Sequence, residues 1–66
     1  MINGQKLKYL REERGISAAQ LGNAVGVNQS MIANMEREFK KPSVELLARI
    51  AEYFGVTVDE LIKKKS

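Results

Sequence analysis

Cysteine, histidine and tryptophan are absent from the 66 residues, and there is only one proline. Without cysteine or histidine the chain can form no disulfide, no Cys/His zinc site and no histidine-based catalytic group. No apolar run approaches the length of a membrane span, and residues 1–10 lack the apolar stretch of a signal peptide. We therefore expect a cytoplasmic protein with no cofactor, no bound metal, no small-molecule ligand and no membrane partner.

The residues that are present are typical of one small globular domain. Hydrophobic residues make up 44% of the chain and charged residues 29%, a balance that is too apolar for a disordered protein. At about 150 residues per average domain, the length fits a single unit over residues 1–66. Because no disulfide or metal can hold so short a chain, its stability must come from helix packing or from a partner.

Glycines divide the chain into helix-sized intervals. Gly15, Gly26 and Gly55 each follow a stretch whose apolar residues recur every three or four positions. No segment shows sustained strand-like alternation, and no Asn-Gly or Asp-Gly pair lies between two such segments as in a hairpin. The pattern predicts an all-α domain of five short helices, with starts at Asn3, Ser17, Asn28, Ser43 and Thr57. The expected core consists of Leu7, Leu10, Ile16, Leu21, Val25, Val27, Ile32, Met35, Leu47, Ile50, Phe54, Val56, Leu61 and Ile62.

Positive charge is distributed unevenly along the chain. The net charge is +3, yet residues 17–36 carry a single charge, that of Glu36, and lie between two basic segments. Such a stretch could read neutral groups on a polyanion while its rims hold the phosphates. Alternatively, the positive excess reflects only the basic C-terminal tail at residues 63–66. Charge alone leaves both interpretations open.

Residues 17–36 have the pattern of two helices joined by a tight turn. Gly22 is a small residue at a position where the helices could approach each other, and Gly26 permits the sharp turn between them. This segment resembles the helix-turn-helix motif of the lambda repressor-like family, also called the Cro/C1 or XRE type. The likeness extends from about residue 3 to residue 62 through Leu7-x-x-Leu10-Arg11-Glu12, Pro42-Ser43 and Gly55-Val56-Thr57-x-Asp59-Glu60-Leu61.

The resemblance implies a set of base-reading residues. In this family the second helix of the motif lies in the DNA major groove. By this resemblance the base-reading candidates are Gln29, Ser30, Met31 and Asn34. A side-chain amide both donates and accepts, which matches adenine, while Met31 could contact a thymine methyl. The alternative is that these residues form an ordinary solvated helix face.

Further roles follow from the same resemblance. The phosphate-binding candidates are Ser17, Asn28, Arg37, Lys40 and Lys41, at helix starts and after the reading helix. Arg11 and Glu36 are expected to form a structural ion pair between the first and third helices. The chain departs from the family at Ala18, where a phosphate-binding Gln is common, and at Glu38, where Gly is common. A single copy is therefore expected to bind DNA weakly.

The function that the resemblance implies is transcriptional regulation. We expect a sequence-specific DNA-binding regulator, most simply a repressor, which binds a palindromic operator in double-stranded DNA as a homodimer. The alternative is a protein-interaction module of the same fold, such as an antitoxin that binds a partner protein, which would lack a steep salt dependence. Catalysis is not expected, because no histidine, no cysteine and no cluster of carboxylates is available.

Two surfaces are candidates for the dimer interface. The first is the C-terminal segment, because the adjacent residues Leu61 and Ile62 cannot both point into the same core. The second is Phe39, a large apolar residue in a predicted loop. The third possibility is a monomer in which Phe39 folds back over the core.

Overall fold

The computed structural model describes residues 2–63. These residues contain five helices and one isolated antiparallel bridge. The helices are α1 (Gly4–Glu13), α2 (Ala18–Val25), α3 (Gln29–Glu36), α4 (Val44–Phe54) and α5 (Val58–Leu61). The predicted all-α, five-helix architecture is therefore confirmed. Of the predicted basic tail, residues 64–66 lie outside the described residues. No helix within residues 2–63 has the length and apolar character needed to cross a membrane.

Local capping interactions explain where the helices begin and end. Each of the five expected N-cap side chains accepts a backbone N–H from three residues further on: Asn3, Ser17, Asn28, Ser43 and Thr57. Gly26 and Gly55 end α2 and α4 with φ of 83° and 70°, a left-handed conformation that glycine adopts without a Cβ clash. The helix boundaries thus follow from short-range sequence signals.

The core lies between the five helices. Its buried side chains are Ile2, Leu7, Leu21, Val25, Ile32, Met35, Leu46, Leu47, Ile50, Ala51, Phe54 and Leu61. Three of these, Ile2, Leu46 and Ala51, were not among the residues that we expected. The expected core residues Leu10, Ile16, Val27 and Val56 are only partly buried and pack against the edge of this cluster.

The two ends of the described chain meet beside α1. Ile2 pairs with Ile62 in the antiparallel bridge, and the backbone N–H of Asn3 donates to the carbonyl oxygen of Leu61 at 2.7 Å. This pairing buries Ile2 to 1% exposure, although Ile2 belongs to no helical pattern in the sequence. The bridge therefore closes the domain through contacts that are distant in sequence.

Leu61 does not lie on a surface. Its side chain is fully buried, so the expectation that it forms part of a dimer interface is wrong. The physical reason is the end of α5: Leu61 is the last helical residue and points into the core, whereas Ile62 follows with extended backbone at φ −99° and ψ 135°. Ile62 is half-buried. The two adjacent residues therefore differ in burial, and Ile62, which we also expected in the core, is not among the buried core residues.

Two glycines allow α3 to lie very close to its neighbours. A Cβ on Gly22 of α2 would lie 2.5 Å from the carbonyl oxygen of Val27, and a Cβ on Gly4 of α1 would overlap the backbone carbonyl of Glu36. Both obstacles are backbone atoms, which cannot move aside as a flexible side chain would. Glycine at position 4 therefore lets α1 pack against the end of α3, and glycine at position 22 lets α2 pack against the turn that precedes α3.

Candidate nucleic-acid interface

One side of helix α3 is buried in the core, and the opposite side is accessible to solvent. Ile32 and Met35 are fully buried. With 3.6 residues per turn, Ser30 and Asn34 point away from that buried side. Gln29 and Ser30 are exposed, and Asn34 is half-buried. Three of the four base-reading candidates thus share an accessible surface at α3.

Met31 is the least accessible of the four candidates. Its side chain is half-buried and packs against the core cluster. Its backbone N–H donates to the Asn28 side-chain oxygen at 2.8 Å, which fixes the first turn of α3. A contact between Met31 and a thymine methyl would therefore be made by the edge of this side chain only.

The caps of α2 and α3 retain free donors after capping is complete. The Ser17 hydroxyl oxygen accepts from the Gln20 backbone N–H at 3.1 Å, and the Gln20 side-chain oxygen accepts from the Ser17 N–H at 2.7 Å. The oxygen of Asn28 is used in the same way, on Met31. The Ser17 hydroxyl hydrogen and the Asn28 side-chain NH₂ remain able to donate to an anion. Both residues are exposed.

The basic candidates lie together in sequence at the end of α3. Arg37 is the C-cap of α3, and Lys40 and Lys41 follow in the connection to α4. All three residues are exposed. Phe39 lies between them with 73% of its surface accessible, so it does not fold back over the core. The accessible side of α3 is therefore bordered by positive charge at its C-terminal end.

Arg11 and Glu36 form a bidentate ion pair between α1 and α3. The Arg11 Nε lies 2.7 Å from Glu36 Oε2, and Nη2 lies 3.1 Å from Oε1. A third donor, Nη1, reaches the carbonyl oxygen of Ile16 at 3.0 Å. Only 16% and 11% of the two side chains is exposed. The hydrogen bond to Glu36 raises the pKa of Arg11, which keeps the guanidinium charged.

The Glu38 carboxylate is engaged within the domain. Its Oε2 accepts the backbone N–H of Gly4 at 3.1 Å, and its Oε1 accepts from Lys63 Nζ at 3.1 Å. The residue has φ of 63°, the left-handed conformation that favours glycine. The hydrogen bond to the Gly4 N–H ties this left-handed residue to α1, and Lys63 forms a partly exposed ion pair with its carboxylate.

A pocket that the sequence did not reveal lies between α1, α2 and α3. Its volume is about 290 Å³, and its lining residues are Lys8, Arg11, Ala18, Ala33, Glu36 and Arg37. In the sequence, the only indication of this pocket is helical spacing: Lys8 lies nearly one turn before Arg11 on α1, and Ala33 lies one turn after Gln29 on α3. Within residues 2–63, no group of three or more acidic side chains is placed to hold a metal ion.

Comparison with known proteins identifies the family and the fold. A model of the helix-turn-helix family matches residues 7–61. The chain belongs to this family. It is a helix-turn-helix DNA-binding domain of the Cro/C1 (XRE) type with the lambda repressor-like fold, as the sequence resemblance implied. The match to a DNA-binding helix-turn-helix family agrees with the prediction that this domain is not an enzyme.

Curated relatives include regulators from bacteria and a phage. The regulator SinR of Bacillus licheniformis is 32% identical over 63 residues, covering 94% of this chain and 57% of that protein. The immunity repressor of Bacillus phage phi105 is 29% identical over 66 residues, covering 100% and 46%. This helix-turn-helix chain therefore spans about half the length of these two curated relatives.

Solved structures give the same family likeness. The P22 c2 repressor, determined in complex with a synthetic operator, superposes with a TM-score of 0.89 at 28% identity and covers 96% of both chains. The N-terminal DNA-binding domain of SinR from Bacillus subtilis gives 0.82 at 32% identity, covering 94% of this chain and 91% of that one. The controller protein C.AhdI from Aeromonas hydrophila gives 0.82 at 27%, covering 89% of both.

The hydrogen bonds of Glu38 predict a pH-dependent stability. Those from Lys63 and from the Gly4 N–H lower the pKa of Glu38 below its ordinary value of 4.5. The ionised carboxylate therefore stabilises the fold fully above about pH 5, and this contribution is lost as the pH falls through the lowered pKa. We expect Glu38→Gln to have a lower Tm than the wild type at pH 7, and the difference to shrink below pH 4.5.

The control for this measurement is Lys63→Gln, which removes one of the two donors. Its Tm difference from the wild type should follow the same pH course with a smaller amplitude, because the Gly4 N–H remains in place. Thermal melts of the three proteins between pH 7 and pH 3, run as parallel series, would give the answer. A Tm difference for Glu38→Gln that stays constant over this range would show that its carboxylate charge has no stabilising role.

Proposed function

We propose that this domain confers sequence-specific DNA binding on a transcriptional regulator, most simply a repressor, and that α3 reads the major groove of its operator. The observation that carries the proposal is the accessible side of α3. It presents Gln29, Ser30 and Asn34 without a net charge, and it is bordered by the basic residues 37–41. Neutral hydrogen-bonding groups suit base edges, whereas cations suit the phosphate backbone.

The base-reading step would depend on the amides. Gln29 and Asn34 can each donate and accept through one planar group, which matches the N6 and N7 positions of adenine. Ser30 lies one turn before Asn34 on the same side and can either donate or accept a hydrogen bond. Met31 adds at most a marginal apolar contact, because it packs against the core. This surface favours sites in which α3 lies over adenine–thymine pairs.

The phosphate contacts would hold the domain in register on the duplex. The Ser17 hydroxyl and the Asn28 amide are donors at the starts of α2 and α3, where the helix dipoles also favour an anion. Arg37, Lys40 and Lys41 would contact the backbone beyond the other end of α3. The P22 c2 repressor, which shares this fold with a TM-score of 0.89, was determined in complex with a synthetic operator, which supports DNA as the ligand of this domain.

We further propose that two copies bind together. One such module covers only a few base pairs, and two modules about 34 Å apart would read a palindromic site with adequate affinity. Because Leu61 is buried, the remaining candidate interface residues are Ile62 and Phe39. Phe39 is 73% exposed and Ile62 is half-buried, so each offers apolar area to an isologous surface, as two alternatives.

Selection of bound fragments from a random DNA pool tests the DNA-reading proposal. A palindromic consensus should emerge. On this site Gln29→Ala should cost about 1–3 kcal/mol, because adenine loses its bidentate partner, whereas on random DNA the loss should be much smaller. Equilibrium binding measured on both DNAs over a range of salt concentrations would show the difference.

Lys41→Ala is the matched variant for a phosphate contact. It should weaken binding to the selected site and to random DNA alike, and it should flatten the slope of log affinity against log salt by about one unit. A pool that yields no consensus, with affinity that does not depend on salt, would contradict DNA reading and favour a protein partner for this surface.

Sedimentation tests the dimer. The wild type should form dimers on its palindromic site. Of Ile62→Glu and Phe39→Glu, the variant that alters the interface should abolish them, since a charge at the centre of an apolar interface is left without a partner. Whichever variant remains dimeric excludes its residue from the interface. A wild-type protein that stays monomeric at micromolar concentration, both free and on DNA, would contradict the proposal.

A further inference from the structure

Helix α3 ends in a turn at which glycine is the usual residue. The backbone N–H of Glu38 donates to the carbonyl oxygen of Met35 at 3.0 Å, and that of Phe39 donates to the carbonyl oxygen of Asn34 at 2.8 Å. These two bonds define a Schellman motif, in which the residue at the position of Glu38 adopts a left-handed conformation. Glu38 does so with φ of 63°, although it carries a Cβ. Other contacts must therefore stabilise this turn.

The Glu38 side chain supplies such contacts on two sides. Its Oε2 accepts the N–H of Gly4, the first residue of α1, and its Oε1 accepts from Lys63 Nζ, both at 3.1 Å. Gly4 and Lys63 lie where the two ends of the described chain meet, since Ile2 pairs with Ile62 there. Only 23% of the Glu38 side chain is exposed. The turn after α3 is thus fastened to α1 and to the C-terminal end of the described chain.

The basic segment, residues 37–41, runs through this turn. Arg37 directly precedes Glu38. Lys40 and Lys41 follow two and three residues later, before Ser43 caps the start of α4. The course of the segment is therefore set at one end by the left-handed residue and at the other end by the cap of α4. A change at Glu38 would alter the direction in which the two lysines leave α3.

We propose that Glu38 is a positioning residue for DNA binding, which holds the turn after α3 so that the cations of the basic segment face the phosphates beside the major groove. The inference rests on the proposed function. It predicts an effect of opposite sign to simple repulsion. Removal of a carboxylate that only opposed the phosphates would raise the affinity, whereas removal of one that positions the cations lowers it.

The test variant is Glu38→Gly. Glycine adopts the left-handed conformation without strain, so this variant loses the two side-chain contacts and retains the backbone preference of the turn. The second variant, Glu38→Gln, keeps an acceptor for the Gly4 N–H and loses the ion pair with Lys63. The matched control is Glu52→Gln, which removes the same negative charge from an exposed side chain on α4.

The first measurement uses the free protein. Nitrogen-15 relaxation should show a lower heteronuclear NOE for the amides of Phe39, Lys40 and Lys41 in Glu38→Gly than in the wild type, because the turn is no longer held from α1. Glu38→Gln should be intermediate, and Glu52→Gln should match the wild type. Thermal melts of each variant would establish that it is folded at the temperature of the measurement.

The second measurement uses a duplex that carries one half-site of the selected palindrome, so that dimer formation does not contribute. Glu38→Gly should flatten the slope of log affinity against log salt by about 0.9 for each phosphate contact that is lost. If the affinities converge near about 1 M salt, one lost contact lowers the affinity about eightfold at about 0.1 M. Glu38→Gln should lower it less, and Glu52→Gln should leave the slope unchanged.

Several results would overturn the inference and leave the proposed function intact. One is a rise in affinity for Glu38→Gly at the wild-type slope, because Glu38 would then only oppose the DNA. Another is a loss of order in the segment with an unchanged slope, because the contacts of Glu38 would then position no phosphate contact. An unchanged heteronuclear NOE would show that other contacts hold the segment. If the wild type binds no duplex at any salt concentration, the proposed function itself fails, and this inference fails with it.

Discussion

The orientation of α3, and with it the side that is exposed to solvent, depends on the guanidinium of Arg11. Its three donor atoms reach both oxygens of Glu36 on α3 and the carbonyl oxygen of Ile16, just before α2. One side chain of α1 therefore fixes the positions of two other elements. Since both ionic groups are largely removed from solvent, loss of either would leave a charge without its partner. The angle at which α3 faces outward is thus set by a directional, bidentate contact in addition to the packing of the core.

Backbone contacts reinforce the same arrangement. Gly4 lies directly against the carbonyl of Glu36 at the end of α3, and Gly22 of α2 lies against that of Val27 in the turn before α3. Glu38 then joins the end of α3 to the start of α1 and to Lys63, near the C-terminal end of the described chain. A carboxylate that would weaken DNA binding if it faced the phosphates is instead used inside the domain. The departure from the family at this position therefore has a structural explanation.

The sequence predicted local features well and distant contacts poorly. The cap at Asn28 and the turn at Gly26 follow from residues within one or two turns, and the structure contains both. Ile2 was missed because its burial depends on pairing with Ile62 at the other end of the chain. The pocket beside Lys8 was missed for the same reason, since it exists only where three helices meet. Arg11 and Glu36 were paired by family resemblance, as no local pattern links residues so far apart.

The central claim is that the Arg11–Glu36 contact holds α3 in position, and a double-mutant cycle tests it most directly. The free energy of unfolding would be measured for the wild type, Arg11→Ala, Glu36→Ala and the double variant. We expect each single substitution to cost about 2–3 kcal/mol and the double variant to cost about 2 kcal/mol less than their sum, because the second substitution removes a charge that the first left unpaired. Additive costs, with a coupling energy near zero, would contradict the claim.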